Sequence, residues 1–83
     1  MTTKQQNSQS RIDKAIKASA SIQISWYTAL KTLSASVETN GYGVYKDRSE
    51  LRNKLIEAKA SIENALETIN ATDWPNDDDY NNL

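Results

Sequence analysis

Two stretches of this chain place apolar or small residues at alternating three- and four-residue steps, and that period commits most of the length to helix. The first runs through Ile12, Ala15, Ser19, Ile22, Trp26, Ala29 and Leu33, widened by Ile16, Leu30 and Val37. The second runs through Leu51, Leu55, Ala58, Ile62, Ala65 and Ile69, flanked by Ile56 and Leu66. Residues at such steps return to one side of an α-helix. Neither stretch contains an internal Gly or Pro, so nothing in the backbone interrupts them. The spacing predicts helices over 10–38 and 49–71, joined by about ten residues, which reads as an antiparallel two-helix hairpin of all-α class.

Local signals set the expected ends. Ser10 is placed as an N-cap with Asp13 three residues on, in capping-box spacing. Thr39-Asn40-Gly41 closes the first helix, with Gly41 at a left-handed C′ position. The second helix has two candidate caps, Ser49 and Asp47, the latter with Glu50. It stops before Pro75, because a residue ahead of proline avoids the helical region. The chain then divides into a flexible polar start (1–9), a helical hairpin domain (10–71) and an acidic tail (72–83) that folds back through Trp74.

Composition narrows the function. The 83 residues include no Cys and no His, which excludes disulfides, Cys/His metal sites and thiol or imidazole catalysis by this chain. No cofactor, no metal and no enzymatic activity are expected. No apolar run is long enough to span a bilayer, the polar N-terminus lacks a signal-peptide core, and the expected location is the cytoplasm. A domain this short buries only about 60% of its unfolded surface. Without a covalent or metal staple it needs very good helix packing or a second chain.

The apolar surplus points to the second chain. Ile24 and Tyr27 sit off the main stripe, the connector carries Tyr42 between its two glycines and Tyr45 just after them, and the tail carries Trp74, Asp77, Asp78, Asp79 and Tyr80. Tyr and Trp are enriched at recognition surfaces. These nine residues are the expected partner-binding set, in a small inhibitor, adaptor or regulator that binds protein. Homodimerisation into a four-helix bundle, or docking on a larger target, would cover the surplus.

Charge is unevenly divided: residues 1–37 hold five basic residues against Asp13, and residues 38–83 hold five basic against ten acidic. The basic start of the first helix is therefore expected beside the acidic end of the second, with Lys14 and Lys17 facing Glu63, Glu67 and the Asp run. Arg11, Lys14 and Lys17 are also the candidates for an alternative function, binding of RNA or DNA, although a net charge of −1 opposes it. A structural subunit of a larger assembly is the third reading. In architecture the chain is similar to small helical hairpins among plasmid copy-control proteins, secretion cochaperones and phage-encoded inhibitors. The Trp-x-Gly turn of secreted hairpin dimers is absent, since the connector reads Asn40-Gly41-Tyr42-Gly43.

Overall fold

The structure, a computed structural model, describes residues 3–83. It is mostly helical, with no strand among the described residues beyond one isolated bridge. A long helix α1 (Thr3–Ser34) and a second helix α2 (Arg48–Ala71) are followed by a single turn of helix, α3 (Asp77–Asn81). The start of α1 meets the segment after α2, through Arg11 and Asp73. At the far end Leu33 and Val37 meet Leu51 and Leu55. The two helices contact each other in an elongated body of 67 × 16 × 14 Å. No helix among the described residues is long and apolar enough to cross a membrane.

Both ends of α1 differ from the sequence reading. It begins at Thr3, seven residues ahead of Ser10, which stands exposed inside the helix. Met1 and Thr2 lie outside the described residues. The early turns are polar, and tertiary contact holds them: Ser8 is buried and donates to Asp79 Oδ1 at 3.0 Å. Asp13 accepts from Gln9 Nε2 at 2.9 Å, along the helix surface. At the other end α1 stops at Ser34, four residues early. Thr28, Thr32 and Ser34 turn their hydroxyls back onto carbonyls of the preceding turn, a pattern that weakens helix continuity.

The connector replaces that lost turn with a short ladder. Lys46 N–H donates to Glu38 O, Asn40 N–H to Val44 O, and Gly43 N–H to Asn40 O. Asn40 Oδ1 accepts from the backbone of Tyr42 and Val44. Asn at the first turn position and a left-handed residue at the fourth match the three-residue loop with a glycine bulge. That glycine is Gly43, at φ +82°, so the left-handed position expected at Gly41 falls two residues later. The start of α2 agrees with one of its two readings: Asp47 is the N-cap and accepts from Glu50 N–H at 3.0 Å.

The seam between α1 and α2 is lined by small side chains. On α1 it follows Ser8, Ala15, Ile22 and Ala29, completed by Ala18, Ser25 and Thr32. On α2 it follows Leu51, Ala58 and Ala65, completed by Lys54, Ser61 and Thr68. The sequence reading shares the first row on each helix but joins it to Ile12, Ser19, Trp26 and Leu33, and to Leu55, Ile62 and Ile69. Of these only Ile12, at the strapped end, is buried; the rest are exposed, Trp26 at 55%. The seam is therefore rotated by one residue from the expected one, and Trp26 is not core. Among the described residues the buried apolar ones are Ile12, Ala15, Ala29 and Ala58, and no large side chain is fully enclosed.

Ala58 is 1% exposed, so it has no room to grow. Ala58→Leu is expected to destabilise the fold by about 1–3 kcal/mol, the usual cost of overpacking. Ser19→Leu, on the exposed flank, is expected to leave thermal unfolding by circular dichroism unchanged or raised. The opposite ranking would restore the expected seam.

Candidate interaction surface

The rotation of the seam decides where the large side chains go. In two helices running in opposite directions, positions on the same rotational side of each seam share one face of the pair. Trp26 and Leu33 from α1 and Leu55, Ile62 and Ile69 from α2 occupy such positions, with Ile16, Leu30 and Leu66 one step further out. All eight are between 42% and 62% exposed. The other face carries Lys14, Ser21 and Thr28 from α1 and Glu50, Glu57 and Asn64 from α2. One side of the molecule thus carries most of the large apolar side chains and the other is mainly polar, with Ile24 exposed off the band. Apolar patches beyond a few hundred Å² are uncommon on a soluble monomer and mark interaction sites.

Aromatic residues stand along this band. Trp26 and Tyr27 form a tilted pair with ring centroids 5.3 Å apart. At one end Tyr45 lines a recess with Leu33, Val37, Leu51 and Leu55. At the other, Trp74 and Tyr80 border a recess floored by Ile12, Ala15 and Ile16. Tyr42 stands apart at the tip of the connector, 94% exposed. The two connector tyrosines therefore separate: Tyr45 lies over the end of the seam and Tyr42 projects. Ile24 is exposed on the outer side of α1, away from the band.

The tail is strapped to the start of α1 by one carboxylate. Asn76 caps α3 and forms a reciprocal capping box with Asp79: Asp79 N–H donates to Asn76 Oδ1 at 3.1 Å, and Asn76 N–H donates to Asp79 Oδ2 at 2.9 Å. The same carboxylate accepts from Arg11 Nη1 on both oxygens at 3.0 Å and from Ser8. Arg11 Nε reaches Asp73 Oδ2 at 3.1 Å. Both oxygens of the Asp79 carboxylate are thus hydrogen-bonded, which is what a buried carboxylate requires. Trp74 serves the end of α2, donating from Nε1 to the carbonyl of Ile69 at 3.0 Å. The hydroxyl of Thr72 does the same for the carbonyl of Thr68.

These contacts sort the candidate residues. Asp79 is committed within the molecule, whereas Asp77, Asp78 and Tyr80 remain exposed on the outer side of the strap. Arg11 is committed too, which leaves Lys14 and Lys17, with Lys4, as exposed cations of that region. The acid that reaches the start of α1 comes from Asp73 and Asp79. Glu63 instead lies 3.8 Å from Lys59 on its own helix. Sequence reasoning missed Ser8 and the Arg11–Asp79 pair. The signal available was Asn76-x-x-Asp79 directly after Pro75, a capping box opening a further turn. Comparison of the chain with protein-family models, with curated proteins and with solved structures finds no match.

The knot makes the strap sensitive to acid. The Asp79 carboxyl is held below the ordinary carboxylate range, first by the Asn76 N–H and then by Arg11 and Ser8. Arg11 is shifted up, first by its hydrogen bond to Asp79. A carboxyl lowered on folding stabilises the folded form above its unfolded value, about 3.9, and loses that effect as pH falls through the lowered value. In a Trp26→Phe background, where Trp74 is the sole reporter, Trp74 emission is expected to hold from neutral pH to about 4 and shift to the red below it. Asp79→Ala should give the shifted emission already at neutral pH, and Asp78→Ala should not. Identical behaviour of the two variants would dissolve the strap.

Proposed function

We propose that this chain is a non-enzymatic helical hairpin that works by binding protein, with the apolar face as its contact surface. The observation that carries the reading is the mismatch between seam and surface. Small residues line the contact between the helices, and the large side chains a stable core would use stand on one outer face. Pairing of that face, as in a four-helix bundle, supplies the core that a domain of this size lacks. The aromatic residues at and along the face supply rigid contact area of the kind that dominates binding energy. An inhibitor, adaptor or regulator built this way needs no cofactor and no catalytic group.

The nucleic-acid reading keeps Lys4, Lys14 and Lys17 as support, since Arg11 is held by Asp73 and Asp79. It remains the class from which the test must discriminate.

Ile62→Glu and Leu55→Glu place a charge in the proposed contact and are expected to weaken association at least tenfold while circular dichroism keeps its helical signal. Thr28→Glu, on the polar face, should leave association unchanged. Equal effects from both faces, measured by light scattering and by retention on immobilised chain, would reject the reading. A mobility shift of nucleic acid at low salt, lost in Lys14→Gln/Lys17→Gln, would favour the alternative.

A further inference from the structure

We infer that the occupant of the apolar face is a second copy of this chain, related by a twofold axis perpendicular to the long axis, so that the connector end of one copy covers the strapped end of the other. The inference rests on the protein-binding reading and specifies its partner.

Three observations point the same way. The first is the size of the face. Eight large side chains at about half exposure present on the order of 800 Å² per copy, which is the area one partner contributes to a standard stable interface. The second is the lack of a sufficient internal core, with no large side chain fully enclosed among the described residues. A chain that needs a partner for its own stability is best served by one produced at the same time in equal amount, and twofold pairing of one apolar face with itself is the commonest such solution.

The third observation sets the direction. Around Leu55 and Ile56, toward the connector end, the rim of the face is basic: Arg48, Arg52 and Lys59 line that groove. At the strapped end, Tyr80 borders the recess over Ile12 and Ile16, and the tail just before it carries the exposed Asp77 and Asp78. A perpendicular twofold brings the basic connector end of each copy toward the acidic strapped end of the other. An axis along the molecule would instead set basic against basic and acidic against acidic. Charge complementarity of this kind fixes register and suppresses the wrong orientation. It also places the middle of the face, near Gln23, against the same region of the second copy.

The natural absence of cysteine makes the geometry directly testable. Arg52→Cys and Asp78→Cys chains, both at exposed positions, are prepared separately and mixed under mild oxidation. The inference expects a disulfide-linked dimer from the mixture and little from either chain alone, while Gln23→Cys links to itself and Thr28→Cys does not. Strong self-linking of Arg52→Cys with no mixed product would overturn the orientation. Light scattering on the unmodified chain is the companion measurement, independent of any variant. A mass of twice 9.3 kDa is expected at micromolar concentration. A monomer that persists at every concentration overturns the second copy as occupant. If that monomer still binds another protein, and Ile62→Glu abolishes the binding, the protein-binding reading stands and the homodimer alone is lost.

Discussion

The structure depends on a close contact between two helices through side chains no larger than isoleucine over most of its length. Ala15, Ala29 and Ala58 are buried there. Small side chains let the backbones approach, and dispersion between well-packed atoms then supplies the attraction. The same choice has a cost elsewhere. Each helix has a limited supply of large apolar residues, and a seam that uses Ala18, Ser25, Ser61 and Thr68 leaves Trp26, Leu33, Leu55 and Ile62 outside. What the molecule does follows from where those residues are left. They form a band on one face, and the proposed function rests on that band being covered by another chain.

The strap fixes which residues face which. Ser8 and Arg11 must both point toward the returning tail to reach Asp79, and the capping box of Asn76 holds Asp79 in place to receive them. This polar knot at one end and Tyr45 with Val37 and Leu51 at the other pin the rotation of α1 against α2. A buried, fully hydrogen-bonded carboxylate tolerates little displacement, since any lost partner leaves a charge without solvation. The tail is therefore part of the fold, and it also floors one end of the exposed face with Trp74 and Tyr80.

Much of this is legible in the sequence. The two helical periods, the Asp47 cap, the stop before Pro75 and the return of the acidic tail to the basic start of the chain all follow from spacing and charge. The rotation of the seam does not. Ala15, Ile22 and Ala29 belong to the facing row in either reading. A neighbouring row three residues on (Ala18, Ser25, Thr32) and one four residues on (Ser19, Trp26, Leu33) give the same alternation of steps. Hydrophobicity favours the second row, and tertiary contact selects the first. The start of α1 was hidden for a related reason: Thr3 to Ser10 carry no apolar period, and it is a contact more than 70 residues away in sequence, Ser8 to Asp79, that holds them. Gly43 was masked by Gly41, since either glycine could close a helix, and only the ladder across Asn40 and Val44 selects one.

The central claim is that the large apolar side chains stand outside the intramolecular seam and are covered by a partner. Nuclear magnetic resonance with a soluble paramagnetic probe, read across a dilution series, tests it most directly. At the lowest concentration the Trp26 indole and the methyl groups of Leu55 and Ile62 should be strongly broadened while those of Ala29 and Ala58 are spared. As concentration rises, protection should spread over Trp26, Leu33, Leu55 and Ile62 together and leave Thr28 broadened. Protection of Trp26 and Ile62 at every dilution would place them in the seam and contradict the account.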